Sequence, residues 1–147
     1  MKNMILFLTL ILLFQVAFYN CHEQKCDLTG KWVNELGSNM TISKTDDKGH
    51  IFGSYFITLT ANNGVEIKES PLSGIKDDSH QPIFGFLVKW TFSESITNFV
   101  GQCFVDKNGV ERLETMWLLR TKADSSGANW EKTRVGSNLF HRLAIKK

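Results

Sequence analysis

The stretch GKWVNELGSN, residues 30–39, sets hydrogen-bonding groups beside a large aromatic. With a strand's two-residue period, Trp32, Asn34, Leu36 and Ser38 share one face, and Lys31, Val33 and Glu35 share the other. The tryptophan marks its face as the buried one, so an amide and a hydroxyl go inside with it. The same pairing recurs along the chain. In FGFLVKWTF, Phe84, Phe86, Val88, Trp90 and Phe92 share a face; in SITNFVGQCF, Thr97, Phe99, Gly101 and Cys103 do. In LETMWLLR the set is Leu113, Thr115, Trp117 and Leu119, and in RVGSNLF it is Gly136, Asn138 and Phe140. Tyr55 adds a phenol. Each aromatic alone reads as core packing. The polar set does not, because a buried group without a partner costs about 1–3 kcal/mol. Either these groups satisfy one another, or a small polar-headed ligand sits between aromatic walls. The pattern favours the ligand.

Catalytic chemistry finds no comparable constellation. His22, His50, His80 and His141 are scattered, and Cys21, Cys26 and Cys103 include no CxxC pair. No general base neighbours a nucleophile, and the carboxylates fall mostly in turns or on outward faces. The expectation is a binding protein, not an enzyme, with no metal and no cofactor. A formal charge of +2 is too small to point to nucleic acid or an acidic membrane.

The elements that must position these side chains are strands. The chain has 147 residues, 42% of them hydrophobic, with four tryptophans and eleven phenylalanines, enough for one domain with a sizeable core. Strand-like runs fall at about 29–36, 39–45, 50–60, 69–76, 81–92, 95–105, 110–121 and 133–144. Between them lie turn signals rich in Gly, Asn, Asp and Ser: LGSN, DDKGH, ANNG, KDDSH, FSES and DKNG. KADSSGANWEK reads as a loop or one short turn of helix. The fold class expected is all-β, an eight-stranded antiparallel up-and-down barrel, with a two-sheet sandwich as the alternative. Eight strands enclose an interior that holds side chains or one small ligand.

Residues 1–21 differ in kind. A lysine precedes an apolar run from Met4 to Phe18, and polar HEQK follows soon after, which is the layout of a secretory signal peptide cleaved between 19 and 23. The alternative is an uncleaved membrane anchor. Residues 24–145 are then the barrel domain. Cleavage beyond Cys21, which lies at the junction, leaves Cys26 and Cys103, which read as one disulfide closing a long loop or as two buried thiols. Asn39-Met40-Thr41 is an acceptor for N-glycosylation.

The motifs LTGKWVNELGSNMTI, IKESPL, QPIFGFLVKW followed by FSES, TMWLLR, and TRVG with NLF resemble the avidin family, vertebrate avidins more than bacterial streptavidin. The resemblance runs from about Cys26 to Leu143. It implies an eight-stranded barrel assembled as a homotetramer that binds biotin without chemistry. By motif, Asn34, Ser38 and Tyr55 would donate to biotin's ureido oxygen, and Asn138 would accept from a ureido N–H. Thr97 would lie near the thioether sulfur, and Trp90, Phe99 and Trp117 would enclose the ring system, with Phe92 beside them. Leu36 and Leu119 would complete the apolar lining, and Trp130 would reach into a neighbouring subunit's pocket. Thr60, Ala61, Asn62, Ser93 and Ser95 match loop positions that hold the valerate carboxylate. The resemblance also implies the Cys26–Cys103 disulfide and a glycan on Asn39.

Three departures stand out. Vertebrate avidins carry a threonine two residues after the pocket tyrosine, whereas this chain has Ile57 followed by Thr58. Either Ile57 faces the ligand and one ureido bond is lost, or a bulge turns Thr58 inward. TANNGVEIKE is one residue longer than the usual loop, and Ser137 stands where an apolar interface residue is common. The main rival is a secreted lipocalin-like carrier of another small ligand, and the inward amides and phenol argue against its greasier interior.

Overall fold

The computed structural model describes residues 25–61 and 64–143. The apolar leader therefore lies outside the described residues, as does Asn62. Among the described residues, β1 (Gly30–Asn34), β2 (Asn39–Thr45), β3 (His50–Ala61), β4 (Gly64–Lys76), β5 (Ile83–Lys89), β6 (Ser95–Val105), β7 (Glu111–Thr121) and β8 (Thr133–Arg142) pair in sequence order. Every pairing is antiparallel, and β1 returns to β8 to close the barrel. The sandwich is excluded by this closure.

Turn chemistry sets the registers. In the β2–β3 turn, Asp46 accepts from the backbone N–H groups of Lys48 (3.0 Å) and His50 (2.8 Å), and Gly49 sits at φ 80°. The β6–β7 turn repeats the device: Asp106 accepts from Asn108 (2.8 Å) and Val110 (2.9 Å), with Gly109 at φ 79°. Only a residue without a Cβ takes that backbone conformation at no steric cost.

The strand limits differ from expectation in instructive places. β1 stops at Asn34, because Gly37 N–H donates to the Asn34 carbonyl and turns the chain. β4 begins at Gly64 instead of near residue 69, so the β3–β4 hairpin runs in unbroken register from His50–Ile75 to Ala61–Gly64. The polar residues of VEIKE read as a loop, but Glu66, Ile67 and Glu69 lie exposed on this hairpin, and an antiparallel pair tolerates polar side chains on a solvated face. β5 is shorter than expected, bounded by Pro82 and by the bend at 91–94. The segment KADSSGANWEK contains a 3-10 helix at Ser126–Glu131.

The interior is filled at one end only. Trp32, Met40, Ile42, Ile51, Leu113 and Phe140 are fully buried there and joined by Leu28, Phe84 and Phe86. Trp32 Nε1 donates to the Leu28 carbonyl (2.9 Å), and the Arg142 guanidinium lies 4.0 Å over its ring. Arg142 also donates to Glu111 and to the carbonyls of Thr29 and Asp27, plugging that end. A disulfide joins Cys26 to Cys103 on β6, with Cα atoms 6.2 Å apart and a sequence separation of 77. It pins the segment before β1 to the barrel wall.

Closing a loop of that length constrains the unfolded chain by on the order of 4–5 kcal/mol in the chain-entropy model. Replacing both cysteines by serine should therefore lower the melting temperature by about 10 °C or more in scanning calorimetry, with the β-sheet circular dichroism retained below the transition. An unchanged melting temperature would show that the packed end needs no tether.

Candidate functional site

The opposite end of the barrel holds a cavity of about 350 Å³. Its deep end is polar. Asn34, at the last position of β1, turns its side-chain oxygen to the backbone N–H groups of Leu36 (3.1 Å) and Ser38 (2.9 Å). That leaves Nδ2 aimed inward, 3.4 Å from the Tyr55 hydroxyl. Ser38 follows the turn and is buried beside them. Tyr55, on β3, stacks on Phe99 (5.8 Å) and takes the edges of Trp90 (5.4 Å) and Phe140 (6.3 Å). Three rings thus fix the position of one phenol oxygen.

Burial pushes the Tyr55 phenol up to about 12, and the Glu35 charge acts in the same direction, against the bond from Ser38. The phenol therefore remains an O–H donor throughout the physiological range. Asn34, Ser38 and Tyr55 converge as three donors in a space walled by apolar rings, where low dielectric strengthens each bond. Nothing here resembles a nucleophile with its base. Among the described residues no group of three histidine, cysteine or acidic side chains could hold a metal ion.

The walls come from β5, β6 and β7. Trp90 Nε1 donates to the Thr97 hydroxyl (2.8 Å), which orients the indole along the wall and leaves the threonine proton for another acceptor. Phe99, on β6, pairs with Phe86 on one side and Trp117 on the other. Trp117 packs against Gly136 of β8, where an added Cβ would lie 2.3 Å from the indole; the glycine makes room for the ring. At the mouth stand Leu36, Phe92, Ser93, Ser95, Leu119 and Thr121, the hydroxyls of Ser93 and Ser95 2.6 Å apart. Asn138, on β8, is buried in the wall with its Nδ2 donating to Glu35 Oε1 (2.9 Å).

The avidin family model matches residues 22–143. This chain is a member of the avidin family. It is 50% identical to avidin of Gallus gallus over 145 residues, spanning 95% of each chain. Avidin-related protein 4/5 of Gallus gallus is 49% identical over 139 residues, 92% of each chain. Among solved structures, xenavidin has a TM-score of 0.74 at 47% identity, covering 82% of this chain and 100% of its own. A structure titled as a biotin binding protein from chicken has a TM-score of 0.74 at 52% identity, covering 82% and 98%.

Most positions singled out from the sequence of this avidin-family chain come together at one cavity: Asn34, Ser38, Tyr55 and Ile57, the wall residues Trp90, Thr97, Phe99, Trp117 and Asn138, and the rim. Leu36 belongs to that rim, 77% exposed, because the strand that would have carried it inward ends two residues earlier. Ile57, not a bulge, meets the cavity: β3 and β4 keep register through Ile57–Lys68 and Thr58–Ile67. Thr60 and Ala61 belong to β3 itself, paired with Val65 and Gly64, and not to a loop. Trp130 does not reach its own chain's cavity and is 81% exposed on the 3-10 helix. Sequence reasoning missed two residues. Thr121 continues the inward alternation of β7 past Leu119 and was findable by extending it. Alternation puts Glu35 on the outward face, and its bond to a residue 103 positions away leaves no local signal.

Tyr19 and Tyr55 are the chain's two tyrosines, so a form lacking residues 1–21 reports Tyr55 alone. A phenol pKa raised above the ordinary value near 10 contributes stability that is complete below pH about 10 and is lost as pH rises toward about 12. Phenolate absorbance at 295 nm should therefore stay flat through the normal tyrosine range and rise only near pH 12. A midpoint near 10 would mean a solvated phenol and an open, wet site.

Proposed function

We propose that this avidin-family chain is a secreted, non-enzymatic protein that captures biotin with high affinity. The observation that carries the proposal is the convergence of Asn34, Ser38 and Tyr55 at the closed end of a cavity lined by aromatic rings. A cyclic urea presents one carbonyl oxygen with two lone pairs and partial negative charge, flanked by two N–H groups. Three fixed donors with one adjacent amide match that head group, and the rings match the thiophane and ureido faces. Rigid donors lower the ordering cost of binding. Thr97 sits where the sulfur would pass, and the Ser93 and Ser95 hydroxyls at the rim suit a carboxylate; Thr60, Ala61 and Asn62 are proposed as its other contacts. A chicken relative bears the description of a biotin binding protein, which supports the same reading. So much polarity at the depth of the cavity disfavours a lipocalin-like carrier of apolar ligands.

The chain is further proposed to work as a homotetramer. Ile96, Val100, Met116, Leu118 and Val135 lie exposed along β6–β8 beside the exposed Trp130, an apolar surface that suits contact with a second copy. Trp130 would then close a neighbour's cavity, and Ser137, opposite Met116, would soften one contact. Residues 1–21 are proposed as the export signal and Asn39, at the start of β2, as a glycan site. Withholding biotin from microbes that require it is the proposed role.

Titration with biotin, followed by tryptophan fluorescence and then by light scattering for mass, tests the proposal: quenching or blue shift to a stoichiometry of one per chain, at four chains per particle, is expected. No heat and no spectral change at micromolar protein would overturn it. Asn34→Ala and Tyr55→Phe should each weaken binding by about 1–3 kcal/mol, roughly 5- to 150-fold, in calorimetry while the barrel persists. Ile57→Thr should act oppositely, tightening binding by about 2- to 10-fold through one more hydroxyl donor. A weaker Ile57→Thr complex would place the ureido oxygen away from β3.

A further inference from the structure

We propose that Glu35 is the positioning residue that fixes the hydrogen-bond polarity of Asn138, and with it the site's requirement for a ligand N–H. The inference rests on the biotin-binding reading and deepens it. Asn138 lies in the barrel wall, bordering the cavity on one side and an outer groove lined by Glu35 and Leu139 on the other. A primary amide has a donor end and an acceptor end that point apart, and the two are nearly isosteric, so sequence alone does not say which faces the ligand.

The carboxylate decides it. Glu35 Oε2 accepts from Leu139 N–H and Oε1 accepts from Asn138 Nδ2, both at 2.9 Å. An ionised carboxylate has no proton to give, so Asn138 can meet it only with its NH2. The carbonyl end, Oδ1, is thereby turned to the cavity as an acceptor. Burial acts to raise the Glu35 pKa, but the bonds from Asn138 and Leu139 and the nearby His141 outweigh it and hold the carboxyl below its ordinary range. The deep end then carries three donors from Asn34, Ser38 and Tyr55 and one acceptor beside them, which is the complement of a carbonyl flanked by N–H. Glu35 is itself exposed at the surface and does not line the cavity.

Glutamine at residue 35 should reverse the arrangement. It has one acceptor oxygen, which Leu139 N–H takes, so its own NH2 faces Asn138 and is satisfied only if that amide rotates. The cavity would then meet a ureido N–H with a second donor. The full barrel chain and four variants test this: E35Q, E35A, N138D and the double variant E35Q/N138D, in which the glutamine NH2 donates to one carboxylate oxygen of residue 138 and the other accepts from the ligand. Two ligands are used: biotin, and biotin methylated on the ureido nitrogen adjacent to Asn138. E35Q should bind biotin about 10-fold or more weaker, with the preference for biotin over the methylated form shrinking by the same factor. E35A should fall between E35Q and the unmodified chain. N138D alone should weaken binding, because two carboxylates would then face each other, and the double variant should recover to within a few-fold. Equal losses for both ligands would mark Glu35 as merely structural and overturn the proposal, as would unchanged E35Q or failure of the double variant to recover. Should the unmodified chain fail to bind biotin, the functional reading falls, and the polarity is still read without ligand. In 15N-edited NMR one Asn138 side-chain N–H should be downfield-shifted by the carboxylate and lose that shift in E35Q. An Asn138 N–H indifferent to E35Q would overturn the proposal independently.

Discussion

The Asn34 side-chain oxygen, held by the backbone N–H groups of Leu36 and Ser38, is the contact on which the site depends. One carboxamide serves two ends. Its oxygen closes the turn between β1 and β2, satisfying donors that the end of a strand would otherwise leave open. Its nitrogen, for that reason alone, points into the barrel. Turn geometry and ligand-facing polarity are therefore the same fact, and the donor cannot rotate away without undoing the turn. Ser38 is delivered to the cavity by the turn that Asn34 stabilises.

A closed sheet makes such fixation effective. Closure removes the free edges and fixes the inside face of every strand, so that inward side chains have nowhere else to go. In this barrel the space is divided along its axis. Trp32, Phe140, Leu113 and their neighbours fill one end, with Arg142 laid over Trp32 as a stopper. Tyr55 stands at the boundary, its ring packed on the core and its hydroxyl among the donors. The filled half supplies the stiffness that holds the open half in shape.

Much of this could be read from residue order. Alternation assigned Phe84, Phe86, Val88, Thr97, Phe99, Cys103, Leu113, Thr115, Asn138 and Phe140 to the inside, and all are buried. It worked because antiparallel strands with one dry face must repeat every two residues. It failed where strands end. Leu36 and Glu35 were placed by continuing β1 past Asn34, but a turn has no period, and Leu36 goes to the rim while Glu35 crosses to β8. The extent of β4 was hidden because VEIKE, with Glu66, Ile67 and Glu69 exposed, has no apolar stripe to report it. The conformations of Asn34 and Asn138 were also out of reach: the direction of an amide is set by partners at the turn or a hundred residues away. The choice between Ile57 and Thr58 needed the unbroken β3–β4 register, which no local pattern reveals.

The central claim is that the deep polar end is built in advance for a urea. A crystal structure of the biotin complex, compared with the ligand-free protein in the same crystal form, tests it most directly. The account predicts the ureido oxygen within hydrogen-bond distance of Asn34 Nδ2, Ser38 Oγ and Tyr55 Oη at once, with those three side chains in unchanged rotamers. A ureido group lodged elsewhere, or donors that swing into place only on binding, would contradict it.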